Sequence, residues 1–133
     1  MINGTCFCGQ ITISSSQEPI RVSNCHCTDC QKWTGCAYET AVVFNKNDLN
    51  INGKIKFYNS NSYSGNIVSR GFCPNCGGSV LNKSTGFMDK IVVYAGILDN
   101  AKNYIPTDEI YTIHRLHSED KLATAKKHSK YFS

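Results

Sequence analysis

The commonest pattern along the chain is an alternation of apolar and polar residues, the period of a half-buried strand. QITIS (10–14) and PIRVS (19–23) show it, and AYETAVVFN (37–45) adds a β-branched and aromatic run. KIKFYNS (54–60) and GNIVSRGF (65–72) are separated by Asn61, Ser62, Tyr63 and Ser64, which predicts a hairpin. SVLN (79–82), KIVVYAG (90–96) and EIYTIHR (109–115) complete the set. Short strands at close intervals, with Gly, Asn and Ser between them, predict an all-β, mainly antiparallel fold.

Helical signals are few. CTDCQKWTG (27–35) predicts one short turn ended by Gly35, and Asn47-Asp48-Leu49 predicts another. Ser118 as a cap and the alanines that follow predict a C-terminal helix over 118–130. No linker interrupts the pattern, so one domain is expected over residues 1–133.

Composition narrows the class. Hydrophobic content of 41% and charged content of 18% are those of an ordinary globular chain. No apolar run approaches the roughly 20 residues of a membrane-spanning helix. MINGTCFCGQ lacks a charged segment followed by an apolar one, so no secretory signal is read and a cytoplasmic location is expected. The net charge of +4 argues little for nucleic acid. Without the last fifteen residues, the fourteen basic and ten acidic residues fall to ten and eight. No arginine-rich stripe remains.

Eight cysteines change the picture. Scattered buried thiols would not cluster, and a disulfide framework does not suit a reducing compartment, so the clustering points to metal. In FCPNCGGS, Cys73 and Cys76 form a zinc-knuckle pair in which Pro74 sets the turn and Gly77 permits the tight backbone. A redox pair would stand at the start of a helix in a βαβ unit, a pattern missing here. TCFCGQ supplies Cys6 and Cys8, which complete a four-thiolate site with Cys73 and Cys76. Such a site closes a loop of more than sixty residues and reads as structural.

NCHCTDC contributes Cys25, Cys27 and Cys30. Three protein ligands leave a fourth position for water or substrate, the arrangement of catalytic zinc. Alternatively Cys36, six residues on, closes the site and makes it structural as well. His26 lies between two ligands, so its side chain is expected to point away and support the loop by a hydrogen bond. Three thiolates over-neutralise a dication, which makes the ion a poor Lewis acid for hydrolysis. Such an ion can still hold a substrate thiol as thiolate. The reaction class this suggests is thiol activation toward a small electrophile such as an aldehyde.

TCFCGQI, SNCHCTDCQKWTG, SRGFCPNCGGSV and AGILDN occur in that order, with Pro106 and EIYTIHR after them. Together they resemble the glutathione-dependent formaldehyde-activating enzyme family, which also contains centromere protein V. The resemblance runs from Gly4 to about Arg115. It implies a β-tent fold with two zinc ions, Cys6, Cys8, Cys73 and Cys76 binding the structural ion and Cys25, Cys27 and Cys30 the catalytic one. It also implies a carbon–sulfur lyase reaction, in which glutathione and formaldehyde give S-hydroxymethylglutathione. The chain departs from the pattern in its short length, in LHSEDK where many members carry a tryptophan, and in Cys36 where a small residue is expected. The competing expectation is a non-catalytic zinc module that binds protein or nucleic acid, and Cys36 on the metal would favour it.

Other residues have narrower readings. Trp33 either walls a pocket or packs beneath the zinc loop. Arg70 is a surface strand residue, or else it holds a glutathione carboxylate through its planar fork. Asp29 caps the zinc turn or acts as a base, and Asp99 forms a turn rather than serving as an acid–base group. At most one of His114 and His117 faces a site. Tyr58, Tyr63, Tyr94 and Tyr111 are read as strand-packing aromatics.

Overall fold

A computed structural model describes residues 1–131 of the chain. Among the described residues the strands are β1 (Ile2–Thr5), β2 (Thr12–Ser15), β3 (Arg21–Cys25), β4 (Glu39–Asn45), β5 (Leu49–Asn52), β6 (Lys56–Asn61), β7 (Ile67–Phe72), β8 (Ser79–Ser84), β9 (Lys90–Tyr94) and β10 (Asp108–Ile110). The α-helix α1 (Thr28–Thr34) ends at Gly35, as its sequence predicts. A small sheet has the order β1-β2-β5, and a larger one the order β10-β3-β4-β9-β8-β7-β6. Every paired strand is antiparallel to its neighbour except β10, which runs parallel to β3 with Ile110 opposite Cys25. The fold is therefore all-β with little helix.

Alternation along the large sheet sorts its side chains onto two faces. Val42 and Phe44 of β4 stand opposite Val93 and Ile91 of β9, and Leu81 of β8 stands opposite Val93. These pack with Ile2, Ile11 and Ile13 of the small-sheet region and with Leu98 to form the core. Burying each such aliphatic side chain is worth about 1.5–3 kcal/mol, so this face holds the two sheets together. The opposite face carries Ser23, Cys25, Glu39, Ala41, Val43, Asn82, Ser84, Arg70 and Val92, and it borders a cavity. One sheet thus presents a core side and a polar side.

Several elements differ from their predicted extents. β1 and β5 are additional strands of four residues each, joined to β2 by backbone pairing. KIVVYAG is a strand only to Tyr94, after which Ala95–Ile97 forms a 3₁₀ turn. EIYTIHR is a strand only to Ile110: Tyr111 adopts a left-handed conformation (φ 53°), and Thr112–His114 forms a 3₁₀ turn. The predicted C-terminal α-helix over 118–130 is instead a 3₁₀ segment, His117–Thr124. It docks no apolar face, since Leu116 and Leu122 are exposed. Without such a face a short α-helix is marginal in water. No helix among the described residues is long and apolar enough to cross a membrane.

Candidate metal centres and the adjoining cavity

Two knuckles approach one another beside the core. In the first, the Gly9 amide donates to the Cys6 carbonyl at 3.1 Å, and the Ile11 amide donates to Cys6 Sγ at 3.2 Å. In the second, the Gly77 amide donates to the Cys73 carbonyl at 2.8 Å. Gly9 and Gly77 have φ of 84° and 73°, a conformation that disfavours any other residue. The four sulfurs of Cys6, Cys8, Cys73 and Cys76 lie within 4.8 Å of one another. Cys6 Sγ is 3.6 Å from Cys8 Sγ, which is 3.7 Å from Cys73 Sγ. A tetrahedron of sulfurs at about 2.3 Å from zinc has edges of about 3.8 Å, so these separations suit a four-thiolate ion. Asn75's side chain and the Gln10 amide hold the Cys8 thiol down to about 6, and the amides of Gly78 and Cys8 lower Cys76.

The second cluster lies where β3 runs into α1. Cys25 ends β3, Cys27 caps α1 by accepting from the Cys30 amide at 3.2 Å, and Cys30 sits on the first helical turn. All three are buried, and their sulfurs lie within 4.8 Å of one another. Hydrogen bonds from Cys25 and Cys30, then the Cys30 amide and the Arg70 charge, hold Cys27 far below the ordinary thiol range. The bond to Cys27 pushes Cys25 up to about 11, and the same neighbours, with burial and Glu39, raise Cys30. Cys36 lies outside this cluster and is exposed. Glu39 Oε2 accepts from Cys30 Sγ at 2.9 Å.

Cys25, Cys27 and Cys30 line a cavity of about 320 Å³ on the polar face of the large sheet. That volume is at the small end of ligand-binding cavities. Its rim comes from the β6–β7 turn, Ser62 to Ser64, and from Ile110 and Tyr111. Tyr63 and Tyr111 have ring centroids 5.8 Å apart, Tyr63 and His114 5.0 Å, and the Tyr63 hydroxyl meets Thr28 Oγ1. β10 and the following turn clasp the cysteine loop. The His26 amide donates to the Ile110 carbonyl, the Thr28 amide to His114 Nδ1, and Gln31 Nε2 to the carbonyls of His26 and His114.

The model of the family described as glutathione-dependent formaldehyde-activating enzyme matches residues 1–114. The chain belongs to this family. A crystal structure of a Rhodobacter sphaeroides protein is similar to it in fold, with a TM-score of 0.61 and 20% identity over 80% of this chain and 98% of that one. A search of curated proteins finds no match to the chain. The formaldehyde-activating family places both cysteine groups inside the matched segment, along with the cavity and its clasp.

Within this family member, the seven predicted ligands fall into the two groups their spacing suggests. His26 points away from the cysteines beside it, its Nε2 2.8 Å from Glu109 Oε1 and its ring against Tyr38. Trp33 packs edge-on against Phe72 and lines a side hollow with Asp29 and Arg70. Cys27, not Asp29, caps α1, and Asp29 lines the cavity. Arg70 is not a surface residue: it is 6% exposed and faces the cavity. Only Tyr94 among the four tyrosines is buried, while Tyr58 is exposed and Tyr63 and Tyr111 stand at the rim. Asp99 lies in a turn away from the cavity, and His117 is exposed. Glu39, Asn82 and Glu109 were missed. Glu39 and Asn82 have one legible signal, a polar side chain at the apolar phase of a buried strand.

Proposed function

We propose that the protein is a cytoplasmic two-zinc enzyme that joins a small thiol, glutathione in the reaction for which its family is described, to formaldehyde. The observation that carries this reading is the cluster of Cys25, Cys27 and Cys30 at the wall of a ligand-sized cavity, with Cys36 elsewhere. The structural module that the sequence offers would close that cluster with Cys36, and Cys36 is not beside it.

In this reading Cys6, Cys8, Cys73 and Cys76 hold one zinc ion that ties the N-terminal strands to the β7–β8 connection. Cys25, Cys27 and Cys30 hold the second, and the two sheets form the family's β-tent. Zinc bound there would supply the positive charge that favours the thiolate form of a substrate thiol. The cavity walls bring thiol and aldehyde together, with the Tyr63–Tyr111 rim limiting access of water. The thiol sulfur adds to the aldehyde carbon. The carbonyl π pair moves onto the oxygen, which takes up the proton the thiol released and becomes the hydroxyl of the product. Atoms balance with no redox partner.

The test is adduct formation from glutathione and formaldehyde, followed by NMR exchange spectroscopy against the uncatalysed rate. Zinc-loaded protein should accelerate it, and Cys27→Ser should not. An unchanged rate with the loaded wild type would remove these substrates.

A further inference from the structure

Arg70 is a buried cation whose surroundings do not complete it. It stands on β7 opposite Asn82 and is 6% exposed. Its Nη1 donates to Ser60 Oγ at 2.9 Å, while its Nε is buried with no hydrogen-bond partner among the described residues. No carboxylate pairs with it among those residues, although Glu39 and Asp29 share the cavity wall. Glu39 is engaged by Cys30 and Asn82. A buried guanidinium with an idle donor and no carboxylate in ion-pair distance is costly to hold. Its planar donor fork matches a carboxylate. Arg70 borders both the main cavity and the side hollow, and its charge reaches Cys27. An anion held there would lie beside the cysteine cluster.

We infer that Arg70 is the anion-recognition residue of this cavity, receiving a carboxylate of the thiol whose sulfur is directed at Cys25, Cys27 and Cys30. The site therefore takes acidic thiols in preference to neutral thiols of the same shape. This rests on the proposed reading of the cavity as a thiol site, and it adds the requirement for a second charged contact. Arg21, at the other end of the cavity wall, is exposed and so lacks the desolvation that makes the Arg70 contact discriminating.

The experiment is calorimetric titration of zinc-loaded full-length protein, without aldehyde, with matched acid and amide probes. N-acetylcysteine and its amide form one pair, and mercaptopropionylglycine and its amide form a longer one. Wild type should bind the acid of at least one pair ten- to a hundred-fold more tightly than the amide. Arg70→Gln should lose that preference while keeping zinc content and amide affinity. Arg70→Lys, which keeps the charge without the fork, should retain part of it and serves if the Gln variant does not fold. Equal binding of acid and amide, or no thiol binding, overturns the inference. So does an unchanged preference in Arg70→Gln, or its loss only in Arg21→Gln. Loss of zinc together with the preference also overturns it, since Arg70 would then be balancing the charge of the thiolates. Aldehyde is absent throughout, so failure of the proposed reaction and failure of this inference are read separately.

Discussion

Cys30 Sγ donates a 2.9 Å hydrogen bond to Glu39 Oε2, and Glu39 is only 4% exposed. Glu39 also stands opposite Cys25 in the β3–β4 register, so the residue paired with the end of β3 bonds the helix that carries Cys30. Burial pushes its pKa up to about 7, against the opposing pull of the Cys30 hydrogen bond, the Arg70 charge and Asn82.

That shift has a definite sign in stability. The folded-state pKa of about 7 lies above the ordinary 4.5, so Glu39's contribution is fully present below 4.5 and is lost as pH rises through 7. Glu39→Gln stays neutral throughout. With Cys30 protonated, as when the Cys25, Cys27 and Cys30 cluster holds no metal, wild type should lose on the order of 3 kcal/mol relative to this variant between pH 4.5 and pH 8. Urea unfolding of both proteins at the two pH values checks this, and a constant gap would contradict it.

The two cysteine groups should respond differently to substitution. Cys6 and Cys73 are part of the core cluster, and a structural zinc site contributes about 10–16 kcal/mol, as much as the whole stability of a typical domain. Cys73→Ser should leave the chain unfolded by circular dichroism. Cys27→Ser should give a folded chain with one zinc fewer by elemental analysis. Equal unfolding by both changes would refute this division.

Cys36 provides the control. It is exposed and outside both clusters, so Cys36→Ser should leave zinc content, melting temperature and adduct formation at wild-type levels. Loss of one zinc from this variant would restore Cys36 as a ligand.

The clasp over the cysteine loop depends on a contact 83 residues apart in sequence. His26 is 1% exposed, and Glu109 Oε1 is the partner of its Nε2 at 2.8 Å. Glu109→Ala leaves that buried nitrogen unpaired and should cost about 1–3 kcal/mol. Glu109→Gln can keep the hydrogen bond and should recover most of it. Thermal unfolding of the pair measures the difference, and equal losses would show that the contact itself is not what matters.

The two cysteine groups were legible because cysteine spacing is a local signal: Cys6-x-Cys8 and Cys73-x-x-Cys76 announce themselves without knowledge of the fold. The cavity wall was less legible. Arg70 and Glu39 acquire their meaning from strand order, which brings β7 and β4 onto one face with β8 and β9 between them. The EIYTIHR run shows the opposite failure. Its β-branched and aromatic composition promises a long strand, but β10 has only β3 to pair with, and Tyr111 turns the chain toward Tyr63 and His114. The strands β1 and β5 were missed because, at four residues each, their alternation is too short to stand out.

The two-sided large sheet has an evolutionary consequence. In β4, Val42 and Phe44 answer to the core, while Glu39, Ala41 and Val43 answer to the cavity. Two sets of requirements are interleaved in one segment with no residue serving both. Substrate preference can therefore drift at alternate positions while the other positions hold the fold, and libraries confined to those alternate positions are where new thiol or aldehyde specificities should be sought.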